Sequence, residues 1–372
     1  MTVARLTTQH FRNLSSTAID FHPKLNFFVG DNGSGKSSLL EALFYLGHGK
    51  SFRTSKTDSL VCYEKNTFVV SVKNGQGSQL GLSRDINSGL TSIKIDGERY
   101  ARLSELAKNI AIQIVTPESF KLFFGGPKER RRFTDLGMFH VKHNFSSQWR
   151  NFARVLKQRN ACIRSNVDDT TLTYWTEQFC QHSLVVAEER RVYIEDLIVE
   201  LKVWLAILLP AISENVTVQY LQGWPQKKAL ADVLNTNKER ETSFGYSLYG
   251  AHKFDVKFLL KKQAIETQLS RGQQKLFLLA LTFAQAKLIA RVNRVKPILL
   301  IDDIGAELDT TSRTVLSSAI DFLNCQVIIT AIEHNVLHPF VEHTCANEYK
   351  VFHVKHGEII PTTLYPDAMK SE

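Results

Sequence analysis

Apolar residues change their spacing along the chain, and each spacing predicts a structural element. Residues 25–29 form a short continuous apolar run, a glycine-rich polar stretch follows, and apolar residues return at helical spacing between residues 39 and 43. This order predicts a strand, a loop and a helix. Residues 3–6 begin an earlier strand, and we expect it to form an edge hairpin with residues 25–29.

Two later segments alternate between apolar and polar residues, as half-buried strands do. They are residues 67–72 and 91–95, and the pairs Asn74-Gly75 and Asp96-Gly97 mark turns close to them. We therefore expect antiparallel hairpins that build a small β subdomain. Residues 110–115 are mostly apolar and predict a buried strand after it.

The long segment 138–209 contains neither glycine nor proline in 72 residues, which predicts helices. Its first half carries an apolar stripe at helical spacing, formed by Trp149, Phe152, Ala153 and Leu156. A second stripe is basic and consists of Arg150, Arg154, Lys157 and Arg164. We expect the apolar stripe to be buried and the basic stripe to face a partner. A polar break at residues 165–170 predicts a second long helix from about residue 172, and hence an antiparallel helical insertion.

The last third of the chain returns to a mixed pattern. It predicts strands at 216–221 and within 244–258, helices at 228–240 and 276–290, and buried strands at 297–301 and 327–331. The predicted organisation is therefore an α/β lobe in two parts, residues 1–125 and 213–372, with a helical insertion at residues 126–212.

Composition adds the position of the charge to this picture. The 372 residues carry a net charge of +9, and 43% of them are hydrophobic, which suffices for one large or two medium domains. Between Lys128 and Arg164 there are ten Lys or Arg and two acids, a net charge of +8 in one segment. Such a concentration is typical of a polyanion-binding surface, although a solvated helix face is the simpler alternative.

Cysteines and hydropathy indicate where such a protein works. The five cysteines have no CxxC spacing, so neither a disulfide framework nor a zinc site is indicated. The longest apolar stretch, residues 199–209, is interrupted by Glu200 and Lys202 and is too short for a bilayer. The first residues lack the apolar core of a signal peptide. These features predict a soluble protein of the cytoplasm.

The glycine-rich stretch after the first apolar run carries the strongest chemical signal. It fits the phosphate-loop pattern with Gly30, Asp31, Asn32, Gly33, Ser34, Gly35, Lys36 and Ser37. Glycines let successive backbone N–H groups point at phosphate oxygens, and the following helix adds its positive N-terminal dipole. Lys36 would contact the β- and γ-phosphates and the Ser37 hydroxyl would bind Mg²⁺. The alternative is a glycine-rich turn that matches by chance.

A second set of residues, far along the chain, completes this chemistry. The buried strand 297–301 ends in Asp302 and Asp303, which predicts a Mg²⁺-binding carboxylate and a group that polarises the attacking water. The segment Ser270, Gly272 and Gln273 stands at a predicted helix start, where hydroxyl and backbone N–H groups can meet a γ-phosphate. Neither GTPases nor simple kinases use such an element. In the cassette class of ATPases it acts on the nucleotide held by the opposite subunit.

These motifs together resemble the RecF family of DNA repair and replication proteins, which are relatives of the SMC-type cassette ATPases. The resemblance covers essentially the whole chain and rests on FRNL at Phe11, GDNGSGKSS at Gly30, GGPKERRRFTD at Gly125, VLKQRN at Val155, LSRGQQK at Leu269 and LLIDDIGAELD at Leu299. It implies an ABC/SMC-type ATPase head and an ATP-dependent homodimer with weak, DNA-dependent hydrolysis. It also implies binding to gapped or junction DNA and partnership with RecR and RecO in loading RecA.

Carried onto this sequence, the resemblance assigns roles residue by residue. Gly30 to Ser38 bind ATP, Ser270, Gly272 and Gln273 act in trans, and Asp302 and Asp303 serve Mg²⁺ and water. Arg12 and Asn13 look like the nucleotide-contacting pair of SMC-type ATPases. Gly250 to Lys253 departs from the usual Gly-Pro-His-Arg of relatives, and His334 is open to a structural or a catalytic role.

The sequence therefore predicts a DNA-binding ATPase whose nucleotide state controls dimerisation. The residues expected to contact DNA phosphates are Arg130, Arg131, Arg132, Arg150, Arg154 and Lys157. One alternative is a transport-type cassette subunit, which would have little reason to carry the +8 segment. Another is a DNA clamp that binds ATP without turnover.

Overall fold

The computed structural model describes residues 2–292, 295–342 and 348–362. The strands are β1 (Val3–Gln9), β2 (Thr17–Asp20), β3 (Leu25–Val29), β4 (Thr67–Asn74), β5 (Gln79–Asp85), β6 (Thr91–Ile95), β7 (Glu98–Tyr100), β8 (Ala111–Val115), β9 (Val216–Leu221), β10 (Asp255–Leu260), β11 (Gln263–Ala264), β12 (Pro297–Ile301), β13 (Gln326–Ala331), β14 (Tyr349–Lys355) and β15 (Glu358–Thr362). The helices are α1 (Lys36–His48), α2 (Leu103–Asn109), α3 (Lys121–Phe124), α4 (Pro127–Val141), α5 (Phe145–Ser165), α6 (Asp169–Leu208), α7 (Leu230–Thr236), α8 (Lys238–Phe244), α9 (Arg271–Arg291), α10 (Thr310–Asp321) and α11 (His338–Val341).

The chain divides into two compact units. The first unit is formed by Met1–Ser119, Ile207–Leu209 and Ser270–Glu372. The second unit is formed by Phe120–Ala206 and Pro210–Leu269. The predicted division differs, because it assigned residues 213–269 to the lobe with the phosphate loop. In the structure, β9, β10 and β11 form a sheet of their own that belongs to the helical unit.

The first unit has a mixed six-stranded sheet in the order β15-β14-β3-β13-β12-β8. All its strands except β15 run parallel. β3, β12 and β13 are buried along their whole length, which explains their continuous apolar runs, because helices or loops cover both faces of such strands. The carboxyl ends of β3, β12 and β13 meet at one edge, where the predicted site residues follow.

The predicted hairpin between residues 3–6 and Leu25–Val29 is wrong. β1 pairs with β2 and β4 in a different sheet, whereas β3 lies between β14 and β13. The physical reason is burial, because every residue of β3 is buried and a strand of this kind belongs in a sheet centre. The strand that forms the hairpin with β1, Thr17–Asp20, is only four residues long and gave little signal in the sequence.

The predicted β subdomain is confirmed as a six-stranded antiparallel sheet. Its order is β2-β1-β4-β5-β6-β7, and each strand from β4 onward pairs with the next along the chain. Apolar side chains on one face of this sheet join a hydrophobic core with α1, in which Phe11, Tyr45 and Phe68 pack with their rings against one another. The core therefore ties the sheet to the helix that follows the phosphate loop.

The second unit contains the predicted helical segment. Phe152 of α5 packs against Phe179 of α6, and Arg159 donates a hydrogen bond to Thr176 at 3.1 Å. A later residue of α5 thus contacts an earlier residue of α6, so the two helices run antiparallel and the predicted pair is confirmed. In the described part of the chain, no helix is long and apolar enough to cross a membrane.

Three local predictions in the second unit need correction. The predicted apolar stripe is displaced, because Trp149 is 42% exposed and the buried face of α5 runs instead through Phe145, Phe152, Val155, Arg159, Cys162 and Ile163. The predicted strand within 244–258 begins only at Asp255, and helix 228–240 is two short helices that meet at Asn237. The hydrophobic pattern did not indicate the true buried face of α5, because the buried Arg159 lies at its centre and counts as polar.

Candidate nucleotide-binding site

The phosphate loop connects β3 to α1 at the carboxyl edge of the parallel sheet. Gly35 precedes the first turn of α1 with a φ of 122°, a conformation that side chains other than glycine rarely adopt. The Gly357 N–H donates to the Ser34 carbonyl oxygen at 2.7 Å, so the turn between β14 and β15 supports the loop. The loop is therefore held in place by backbone contacts that its own motif does not encode.

Lys36 is oriented by this loop and is 7% exposed. Its Nζ donates to the carbonyl oxygens of Gly30 and Asp31, the latter at 2.9 Å. Burial lowers the pKa of the Lys36 ammonium, and the carboxylates of Asp303, Asp302 and Asp31 oppose that shift. Among the described residues its hydrogen-bond partners are neutral carbonyl groups, and a buried ammonium in such a setting favours an anionic ligand such as a phosphate.

Asp302 follows β12 and faces the first turn of α1. Its Oδ1 accepts hydrogen bonds from the hydroxyls of Ser37 at 3.2 Å and Thr330 at 2.8 Å. Burial raises the pKa of this carboxyl, and the hydrogen bonds from Thr330 and Ser37 counteract the rise. Hydroxyl and carboxylate oxygens at this separation are the ligands that Mg²⁺ takes in phosphate-loop proteins, so the residues present fit the ion.

Asp303 sits in a strained turn beside Asp302, with a φ of 50°. Its N–H donates to the Thr330 hydroxyl at 2.9 Å, and Lys275 donates to its carbonyl oxygen at 2.8 Å. Within the described residues its Oδ1 is buried and has no hydrogen-bond partner. A fixed backbone with an unpaired carboxylate oxygen fits a group that accepts a hydrogen bond from water or ligand.

These residues surround one open pocket of about 530 Å³. This volume is in the usual range for small-molecule sites. The pocket is lined by the predicted residues Arg12, Asn13, Asn32, Gly33, Gly35, Lys36, Ser37, Ser38, Asp302 and Asp303, together with Arg53, Ser59, Val61, Pro117 and Ile332. The fold thus brings together the two halves of the predicted site that are about 265 residues apart in sequence.

Sequence reasoning missed the carboxylate that orients Arg12. Glu41 on α1 is fully buried and accepts two hydrogen bonds from the Arg12 guanidinium, at 2.9 and 2.8 Å. Arg53 lies 3.7 Å from the same carboxylate, and Ser51 also donates to it. A paired buried glutamate on the helix after a phosphate loop has no sequence signature of its own, so only its position one turn beyond Ser37 could have suggested it.

Asn13 stabilises the loop from the other side. Its amide nitrogen donates to the Gly33 carbonyl at 3.0 Å, and its amide oxygen accepts from the Ser38 hydroxyl at 2.7 Å. The two polar ends of the side chain are therefore engaged by the phosphate loop and by α1. Asn13 lines the pocket as a residue that positions the loop, whereas Arg12 presents a cation to it.

Ser270 lies at the N-terminus of α9, as its motif predicts. Its hydroxyl accepts from the Gln273 N–H at 3.3 Å, and the Gln273 side chain accepts from the Ser270 N–H at 3.1 Å. Among the described residues, neither Ser270, Gly272 nor Gln273 lines the pocket that contains Lys36. The exposed start of α9 therefore lies outside the described pocket of its own chain.

Comparison with known proteins identifies the fold. The family model described as "RecF/RecN/SMC N terminal domain" matches residues 2–359. A protein of Colwellia psychrerythraea named "DNA replication and repair protein RecF" is 71% identical over 97% of this chain and 98% of its own length. This chain belongs to the RecF family. A RecF of the same name from Mannheimia succiniciproducens is 38% identical over 96% of this chain and 99% of its own length.

Solved structures agree with the family fold. The structure described as "recombination mediator protein RecF-ATP in RecFOR pathway" matches with a TM-score of 0.82 at 22% identity, over 97% of this chain and 98% of that one. An SMC head bound to the C-terminal winged-helix domain of ScpA matches with a TM-score of 0.57 at 17% identity, over the whole of both chains. The predicted α/β fold class, an ABC/SMC-type ATPase head with a helical insertion, is confirmed.

The basic residues predicted to bind DNA lie in three different settings. Arg130 makes a bidentate ion pair with Asp255 at 2.8 and 2.9 Å, and Arg131 donates to the Phe254 carbonyl at 3.0 Å. Both therefore help to hold the second unit together, and their role as DNA contacts stays a prediction. The exposed residues on α5, namely Arg150, Arg154, Lys157 and Arg164, are called here the basic face. Arg132, which is 47% exposed, is not part of this face.

His334 lies close to the phosphate-loop edge of the RecF-type sheet. Its ring stacks on that of His353, with centroids 6.4 Å apart. Burial, together with His353, lowers the pKa of His334, which favours its neutral form. Within the described residues it does not line the pocket.

Proposed function

We propose that this protein is an ATP-dependent DNA-binding protein of DNA replication and repair that dimerises on ATP. The relatives that are 36 to 71% identical to it over nearly their full length carry the name DNA replication and repair protein. ATP would bind at the pocket around Lys36, with Ser270 of a second copy completing the site. RecR, RecO and RecA are its expected partners in the cytoplasm, on the family resemblance.

One observation carries the dimer proposal. The signature residues stand at an exposed helix N-terminus and are absent from the described lining of the pocket that holds Lys36. An exposed helix N-terminus is a phosphate-binding element, and a second copy would supply the phosphate. In a symmetric dimer each chain would then contribute a loop to one site and a signature to the other.

The chemistry of such a site follows from the residues present. Lys36 would exchange its carbonyl partners for the β- and γ-phosphates, and Asp303 would accept a hydrogen bond from the attacking water. Ser37 and Asp302 would hold Mg²⁺, which when bound neutralises charge on the triphosphate. The strained, fixed backbone at Asp303 keeps its carboxylate in one position during hydrolysis.

DNA binding is proposed for the basic face of α5. Arg150, Arg154 and Lys157 are exposed, and the opposite side of the helix is buried. Contacts from such residues to the phosphate backbone give affinity that depends on salt and little on sequence. No feature of this surface favours the transport-type subunit, which needs a membrane partner and no DNA.

The test is ATP-driven dimerisation measured by light scattering, with and without DNA. Lys36→Ala should abolish the mass increase that ATP causes in the unchanged protein, because the loop then lacks its phosphate cation. Lys287→Ala, on the partly exposed side of α9, is the matched control and should dimerise normally. Dimers of the Lys36 variant that still form with ATP would contradict the assignment. Turnover assays on the same samples separate a hydrolysing enzyme from a clamp that only binds ATP.

A further inference from the structure

The last residue of α8 and the short loop that follows it present two aromatic rings to solvent. Phe244 is 54% exposed and Tyr246 is 40% exposed, and their ring centroids lie 6.0 Å apart. Gly245 between them has a φ of 73° and ends the helix in the left-handed conformation. Neither ring belongs to the core of the unit, so both are available to a ligand.

The loop is fixed in place by a buried polar network. Arg159 of α5 donates to Glu241, which precedes the two rings in sequence, at 2.7 Å. It also donates to Ser247, which follows them, at 2.6 Å. Asn160 accepts from the Ser247 N–H at 2.8 Å, and the Leu248 N–H donates to Glu241 at 2.7 Å. Both ends of the loop are thus attached to the same helix. A surface held this firmly loses little conformational entropy when it binds.

The surroundings of the two rings are basic. The Lys253 Nζ lies 5.2 Å from the centre of the Tyr246 ring, at the end of the segment Gly250 to Lys253 that the motif comparison left without a role. A Cβ built on Gly245 would lie 3.3 Å from the Cγ of Arg164, so the side chain of Arg164 runs beside the loop. The carboxylate of Glu241, the only acid in the sequence 241–253, is engaged by Arg159.

Arg164 also connects the rings to the basic face. It is the last member of that face, which extends for about 21 Å along α5 from Arg150. Cations along a groove attract the phosphate backbone, and aromatic rings beside them stack on bases that are not paired. Bases within a duplex are stacked on their neighbours and expose only their edges, so a continuous duplex would not stack on the two rings.

We propose that Phe244 and Tyr246 bind an unpaired DNA base next to the duplex that lies along the basic face of α5. The pair would thereby make the protein prefer gapped or junction DNA over continuous duplex. This inference rests on the proposed DNA-binding function and adds the residues that recognise the single-stranded part. Lys253 and Arg164 would hold the phosphates on either side of the stacked base.

The test measures fluorescence anisotropy of labelled DNA with the full-length protein in the presence of ATP. Phe244→Ala should weaken binding to a gapped duplex by at least about fivefold and leave binding to continuous duplex of the same length unchanged. Tyr100→Ala is the matched control, since Tyr100 is 37% exposed but lies beside Glu98. This control should leave both affinities unchanged.

A conservative variant keeps the test independent of folding. Phe244→Trp retains a stacking ring, so it should restore the preference for gapped DNA. Equal losses on gapped and continuous DNA for Phe244→Ala, or no loss on either, would overturn the inference. If the protein without substitutions binds neither the gapped nor the continuous duplex, the proposed DNA-binding function itself is wrong. That outcome is distinct from one in which only the proposed role of the two rings is wrong.

Discussion

Individual side chains next to the motifs determine how the site works. Thr330, on the strand beside β12, is fully buried, and its hydroxyl joins the two neighbouring aspartates. It donates to the Asp302 carboxylate and accepts from the Asp303 N–H. One hydroxyl therefore stabilises the ionised form of Asp302 and fixes the backbone that positions Asp303.

We predict that Thr330→Val lowers stability and shifts the pH dependence of ATP turnover. Loss of the hydroxyl leaves a buried N–H without an acceptor, which should reduce the free energy of unfolding by about 1–3 kcal/mol. It also removes a hydrogen bond that lowers the pKa of Asp302, so that carboxyl should ionise at higher pH. The acid limb of the turnover profile should therefore move to higher pH.

Denaturant unfolding and a pH series of turnover test this prediction. Thr282→Val is the matched control, because Thr282 is 6% exposed and its hydroxyl donates only to the Leu278 carbonyl of its own helix. The control should change neither the profile nor the stability by a comparable amount. An unshifted acid limb in Thr330→Val would show that the hydroxyl has no influence on Asp302.

How much of the site the sequence reveals depends on what fixes each residue. Lys36, Ser37 and Asp302 have a required spacing and a required strand end, so they were predicted and lie together at one pocket. Glu41 and Thr330 are identified only by the groups they touch in three dimensions. The same limit applies to the ion pair of Arg130, because a basic triplet looks the same in the sequence whether or not Asp255 faces it.

Among the elements, α9 connects the signature to the carboxylates. Lys275, one turn beyond Ser270, is 2% exposed and donates to the carbonyl oxygens of Asp303 and Ala306. A movement of the start of α9 would therefore be transmitted to the turn that carries Asp303. If a second copy binds at the signature as proposed, this contact would link it to the turn that carries Asp303 in the same chain.

The second element with a separable role is α5. Its buried face includes Arg159, whose ion pair with Glu241 replaces apolar packing at that point. The sequence predicted the separation of basic and apolar faces correctly, because four exposed cations recur at helical spacing. It placed Trp149 on the buried face, because the buried arginine that defines the true face is counted as polar in any hydrophobic pattern.

We predict that charge reversal on the basic face reduces the salt dependence of DNA binding. Arg150→Glu combined with Arg154→Glu removes two phosphate contacts, so the slope of log affinity against log salt should fall by about two. The matched control is Lys227→Glu with Lys228→Glu, an equal change of charge at exposed positions of the same unit. An unchanged slope for the α5 variant, or an equal change in the control, would show that the basic face is a solvated surface that does not contact DNA phosphates.

At the scale of the whole molecule, each chain would contribute the loop half of one proposed nucleotide site and the signature half of the other. The loop half and the signature half both belong to the first unit, and the fold brings the loop to Asp302 but leaves Ser270 outside the described pocket. A site divided in this way makes activity a property of the dimer. The sequence motifs predicted both halves, and the family resemblance predicted that the signature half acts in trans.

Complementation between two inactive variants tests this division. Lys36→Ala removes the loop half and Ser270→Ala removes the signature half, so neither variant alone can form an intact site. A mixed dimer has one site with both halves intact, so mixing the two variants should restore ATP turnover that neither shows alone. Mixing Lys36→Ala with the double variant creates no intact site and should restore nothing. If the first mixture is no more active than its separate components, Lys36 and Ser270 do not act across a dimer interface.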